Sequence, residues 1–278
     1  MGGCPSTVLS EYSPELGQRL RLFVTRAAER PDVQAAVEAN HDDNRWWPAY
    51  VQDWRVRMAV AGWSSRVSYA MIGTYAGVVA RADTLGWRTL TALDDDAVAR
   101  LVRPIGLPTA RTRYLRSLAD FVGGTGSSGI DAAAVPSDDL IASFTTGVDG
   151  AGYNTAQCAV LYARGYHCGV IPVDSGMVTK LAPMLGIRLS SGAVAYEQLR
   201  KLLQLGVADH ADAYRDLASR AGYRVTIPPW AAPTWFVHLI LIYFKRLYLN
   251  RPRPELCPRR PACPMLFGCS CHPTEAMK

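Results

Sequence analysis

A tight turn, a helix start and a trailing acid, in that order, carry the most chemistry in this chain. The run Val148-Asp149-Gly150-Ala151-Gly152-Tyr153-Asn154-Thr155-Ala156 is followed, after a helix-length interval, by Val173-Asp174. Gly150 and Gly152 bracket a turn where the backbone can reach positive φ and approach a ligand closely. Thr155 onward opens a helix whose free amides point outward, an arrangement that suits a phosphate. Asp174 precedes Ser175 and an apolar-striped helix, so taken alone it reads as an N-cap. In the same place it is an anion favoured by the helix dipole.

A second group lies near the end of the sequence. Four of the seven cysteines, Cys257, Cys263, Cys269 and Cys271, fall within 15 residues, whereas Cys4, Cys158 and Cys168 are scattered. In a reducing compartment such grouping points to iron-sulfur or zinc ligation ahead of disulfides. His167 and His238 have no partner spacing that suggests a metal site and read as structural.

The turn and its trailing aspartate resemble the helix-hairpin-helix of the endonuclease III superfamily of DNA glycosylases, whose pattern is Leu-Pro-Gly-Val-Gly-x-Lys-Thr-Ala and then Val-Asp. Ile105-Gly106-Leu107 with the following basic helix, and the long helix before the cysteines, resemble further segments of that family, so the likeness spans about Arg55 to Cys271. It implies an all-α, two-lobed helix-hairpin-helix DNA glycosylase fold ending in a cysteine-cluster loop, with the cleft between the lobes taking a flipped base.

The resemblance also assigns roles. The hairpin residues Gly150, Gly152, Tyr153, Asn154 and Thr155 would hold DNA phosphates, fixing register without reading bases. Asp174 would stabilise an oxocarbenium-like sugar and orient or deprotonate the attacking water. Lys180, on the next helix, reads as a phosphate contact or a solvated charge. Asn154 stands where bifunctional members carry a Schiff-base lysine, which implies a monofunctional enzyme that leaves an abasic site. Trp63-Ser64-Ser65-Arg66 occupies the place of a glutamine-bearing segment that enters DNA at the flipped base. The two serines would widen that base pocket, with Trp63, Tyr69 or Tyr153 stacking on the base; Trp63 and Tyr69 read equally well as core aromatics.

In the family the four cysteines are separated by six, two and five residues, whereas here the separations are five, five and one. A 4Fe-4S cluster is the first expectation and zinc the alternative. Arg251, Arg253, Arg259 and Arg260 would touch the DNA backbone or solubilise the loop.

Helices must position these residues. The pattern predicts them from Ser13 to Glu29, Asp32 to Glu38, Trp54 to Ala61, Val67 to Arg81, Asp94 to Leu101 and Thr109 to Val122, the last with Leu115, Leu118 and Phe121 on one face and Arg111, Arg113 and Arg116 largely on another. After the Gly/Ser-rich loop 123–129, helices follow from Ser137 to Phe144, Thr155 to Arg164, Ser175 to Leu185, Ala193 to Leu205, Asp209 to Ala221 and Trp235 to Leu249. The expected organisation is an N-terminal extension (1–54), a central lobe bearing the hairpin (55–172), a terminal lobe (173–250) and a Cys/Arg-rich metal-binding tail (251–278).

Composition agrees with this picture without dictating it. With 278 residues, 49% of them hydrophobic and 19% charged, the chain can bury a substantial core. The net charge of +6 favours a polyanionic partner. Met1 to Ser10 show no basic stretch followed by an apolar core, and Phe236 to Phe244 is too short to cross a bilayer, so a cytoplasmic monomer without membrane contact is expected. The substrate would be double-stranded DNA with a damaged, mispaired or modified base flipped out, in base excision repair or in antiviral defence against phage DNA carrying hypermodified bases. The alternative is a non-catalytic helix-hairpin-helix DNA-binding protein.

Overall fold

The computed structural model describes residues 11–124 and 135–250; the cysteine group Cys257, Cys263, Cys269 and Cys271 and most of the Gly/Ser-rich loop lie outside them. Among the described residues there is no strand. The all-α expectation therefore holds. The described residues up to Ala39 join those from Val173 onward in one compact unit, and Asn40–Pro172 form the other.

The first unit is built on α1 (Pro14–Ala28), α2 (Pro31–Glu38), α10 (Val194–Asp209), α11 (Ala211–Arg220) and α12 (Thr234–Phe244). Ser13 caps α1, its side chain accepting from the Leu16 amide at 3.2 Å, and Pro14 supplies a fixed φ at the first helical position. Every residue of α12 is buried. It packs against α1, α2 and α10, and the Phe23 and Phe244 rings meet edge to face at 4.8 Å. This apolar run is thus a core helix; no described helix is long and apolar enough to cross a membrane.

The Asn40–Pro172 unit contains α3 (Trp54–Trp63), α4 (Ile72–Ala92), α5 (Asp95–Val102), α6 (Pro108–Gly124), α7 (Ser137–Gly147) and α8 (Tyr153–Arg164). Helix α3 is its centre, packed on α4, α6 and α8. The Tyr114 ring of α6 fills the space where a Cβ on Gly62 would stand, 2.1 Å from its Cζ, and its hydroxyl donates to Met58 O at 2.9 Å. Close helix approach thus depends on that glycine. Asp94 caps α5 through the Ala97 amide at 2.7 Å.

Three expectations shift. Helix α4 begins at Ile72, after a 3-10 turn at Tyr69–Met71, and breaks at Gly86, where φ is 68°. Segment 40–53 belongs with the second unit because Trp46 packs on Tyr75 and the hydroxyls of Tyr162 and Tyr166 donate to the carbonyls of Pro48 and Trp47. The helix expected from Ser175 to Leu185 forms over 175–184, but its middle is a wider π turn, Met177–Leu181, ahead of α9 (Ala182–Met184). Pro183 has no amide to give to a regular ladder there.

Candidate active site

The hairpin is formed as the glycines predict at one position and differently at the other. Helix α7 ends with the Val148 amide on Phe144 O at 3.0 Å, and Ala151 N closes a turn onto Val148 O at 3.1 Å. Gly150 takes φ of 77°, the left-handed region that favours glycine. Gly152 is extended, φ −82° and ψ 175°, and serves as the N-cap of α8 with no side-chain cap bond. A Cβ on either glycine would meet nothing within 4 Å, so both edges of the turn are open to an approaching group. Ser117 of α6 braces the turn, its Oγ accepting from the Asp149 amide at 2.9 Å.

Of the helix-start residues, Tyr153 and Asn154 are half-buried and the Thr155 side chain is buried, which leaves its backbone as the part suited to phosphate. Asn154 Nδ2 lies 3.8 Å from Cys158 Sγ.

Asp174 lies in the other unit, and both of its carboxylate oxygens are engaged. Oδ1 accepts from the Met177 amide at 2.8 Å, which is the N-cap contact expected from sequence. Oδ2 accepts from Lys245 Nζ. The two side chains are unequally placed: Lys245 is 4% exposed and Asp174 34%. The pair is therefore a dipole with its ammonium end inward and its carboxylate end toward solvent. Burial pushes the Lys245 pKa down, with Asp174 opposing that shift and Arg246 and Lys180 adding to it. Gly176 makes the geometry feasible, since a Cβ there would stand 2.9 Å from Lys245 Cδ and 3.3 Å from its Nζ.

Lys245 was missed by sequence reasoning. The signal was a lysine closing an otherwise apolar helix, four residues after Leu241 on the same buried face. Lys180, expected at phosphate or in solvent, donates to Leu249 O at 3.0 Å and Asn250 Oδ1 at 3.2 Å, so its ammonium holds the chain after α12.

The expected base-pocket segment divides. Trp63 is fully buried, with Nε1 donating to Arg111 O at 3.1 Å, so its core reading is the one realised and its face is closed to a stacking base. Ser64 and Ser65 are half-buried, Arg66 is exposed, and Tyr69 is 48% exposed. Arg66 has φ of 60°, and only Leu107 shares this left-handed state among described non-glycine residues. Among the described residues no group of three or more His, Cys, Asp or Glu side chains could hold a metal ion.

The fold is similar to that of a 3-methyladenine DNA glycosylase from H. pylori, solved with 1,N6-ethenoadenine bound. The match covers 85% of this chain and 99% of that one, with a TM-score of 0.57 and 16% sequence identity. At that identity the likeness is one of fold alone. No protein-family model matches the chain. No curated protein sequence matches it significantly.

His238, behind the Asp174–Lys245 pair on α12, is buried and stacks on Trp235 at 5.5 Å. Its Nδ1 is buried without a hydrogen-bond partner among the described residues. Burial pushes its pKa down to about 3, Asp174 opposing the shift and Arg246 and Lys245 reinforcing it. The folded state thus prefers the neutral ring. Its contribution to stability is complete above the ordinary value of 6.5 and is lost as pH falls toward 3. The full span is on the order of 4–5 kcal/mol. In urea unfolding, His238→Phe should therefore gain about 2–3 kcal/mol on wild type between about pH 7.5 and about pH 4.5. A difference that stays constant over that interval would remove His238 from the protein's acid sensitivity.

Proposed function

We propose that this protein is a monofunctional DNA glycosylase. It hydrolyses the N-glycosidic bond of a base flipped from double-stranded DNA and leaves an abasic site. The observation that carries the reading is Asp174, an outward carboxylate set on a buried ammonium, in a chain with the glycosylase fold. Cleavage of an N-glycosidic bond develops positive charge on the sugar, and a fixed anion lowers the energy of that state. The same carboxylate can orient the attacking water and take its proton. The leaving base departs with the bond's electron pair, and water supplies the new C–O bond.

The hairpin would hold the DNA. Open edges at Gly150 and Gly152, together with a helix start that has no side-chain cap, present backbone amides to a phosphate. Phosphate contacts of this kind fix register and leave base choice elsewhere. The exposed Arg66 and Tyr69, with the half-buried Ser64 and Ser65, are the part of the expected base pocket that can face a nucleotide.

The monofunctional assignment rests on amines. Position 154 is asparagine, whose amide cannot form a Schiff base. Lys245, the amine at Asp174, is 4% exposed and committed to the carboxylate, so it supports the anion in place of attacking the sugar. Cys257, Cys263, Cys269 and Cys271 are soft thiolate donors suited to a 4Fe-4S cluster, with zinc as the alternative, and such a centre would act structurally. Iron and zinc analysis of the purified protein distinguishes them.

A second reading, a helix-hairpin-helix DNA-binding protein without chemistry, is favoured by one observation. Both Asp174 oxygens already have intramolecular partners, which a purely structural cap and ion pair would also show. Mass spectrometry of bases released from duplexes carrying 1,N6-ethenoadenine, from alkylated DNA and from hypermodified phage DNA separates the two. Release from at least one, with no borohydride-trapped covalent complex, is the expected result. No release from any favours the binding protein, and efficient trapping defeats the monofunctional assignment.

A further inference from the structure

Among the described residues, Arg111 is a buried cation without an anion. The residue is 4% exposed, and its guanidinium is satisfied by backbone carbonyls alone among the described residues. Nε donates to Gly106 O at 2.7 Å, Nη2 to Ser65 O and Ile105 O at 3.1 Å each, and Nη1 to Trp63 O. Burial lowers its pKa. Holding a charge against neutral acceptors costs stability that a leucine or methionine at the same place would not. Helix packing alone does not call for it.

The guanidinium joins two loops distant in sequence. One runs from Trp63 at the end of α3 to Arg66, and the other is Ile105–Leu107 ahead of α6. The carbonyls of Ser65 and Gly106 belong to the peptides immediately before Arg66 and Leu107. Those are the two non-glycine residues with positive φ among the described residues, at 60° and 52°. Such backbone is strained and persists where surrounding structure imposes it, often at functional sites. Both side chains are exposed, Leu107 by 47%. One buried cation therefore holds two strained residues that face solvent.

We propose that Arg111 is a positioning residue that locks these loops into one rigid element, so that Arg66, Tyr69 and Leu107 meet a disrupted DNA duplex at fixed spacing. This rests on the glycosylase reading. A cation suits phosphate, and aromatic and aliphatic surface suits a base step that has lost its stacking. Fixed spacing adds selectivity because the loops need no ordering when DNA binds.

The probe is a duplex containing a tetrahydrofuran abasic analogue, compared with the intact duplex of the same sequence. Wild type should prefer the analogue. Arg111→Lys keeps the charge and loses the fork that reaches four carbonyls, so the preference should fall at least about tenfold while intact-duplex affinity stays within about twofold. Should Arg111→Lys fail to fold by circular dichroism, Arg111→Met serves instead: the apolar chain fills the buried place without a charge, so Tm should hold or rise while the preference is lost. A folded variant that keeps the preference, or loses affinity equally for both duplexes, overturns the role of Arg111. A wild type with no preference counts against the glycosylase reading itself.

Discussion

A lysine ammonium withdrawn from water must be given an anion, and much of the first unit can be read from that requirement. Lys245 closes a helix in which every residue is buried, so its amine has no route to solvent along α12. Asp174 meets it, at the junction where the chain leaves the Asn40–Pro172 unit. The residues around the pair are those that permit the meeting. Gly176 leaves room for the lysine stem, the Met177 amide fixes the second carboxylate oxygen, and the π turn before Pro183 carries the chain away. A carboxylate held on two sides is pre-organised, and pre-organised charge is what stabilises a developing cation without further reordering.

The same logic recurs with a different acceptor in the other unit. Arg111 is buried against carbonyls, and Lys245 is buried against a carboxylate. Arg111 holds the loops that carry the two positive-φ residues Arg66 and Leu107, and Lys245 holds the carboxylate of Asp174. The hairpin uses no side-chain charge: Gly150 supplies the turn and Gly152 an uncapped helix start. Under the proposed function, binding and chemistry would be served by separate devices, one of backbone amides and one of a supported anion.

Much of the fold was legible because local signals agreed. Ser13-Pro14 and Asp94 mark helix starts that form where expected, and the apolar run before the cysteines forms a core helix. The hairpin and the cap role of Asp174 were also readable from residue type and order. Buried charge was not. Arg111 was grouped with Arg113 and Arg116 as a polar face, although it lies four residues before Leu115 and seven before Leu118, on the stripe that is buried. Lys245 was hidden in the same way, since a charge at a core position reads as a helix end until its partner is known. That partner is 71 residues away in sequence, beyond the reach of any local pattern. Trp63 had two equal readings because an aromatic at a helix end suits a core or a pocket, and only tertiary packing decides.

The central claim is that Asp174 does chemistry beyond capping a turn and neutralising Lys245. Single-turnover base release and DNA affinity, measured together for wild type and a folded Asp174→Asn variant, test it most directly. The amide keeps the size and the contact with Met177 while removing the anion, so release should fall at least about a hundredfold with affinity unchanged within about threefold. Release at the wild-type rate by the folded variant would contradict the account and leave Asp174 as a structural residue.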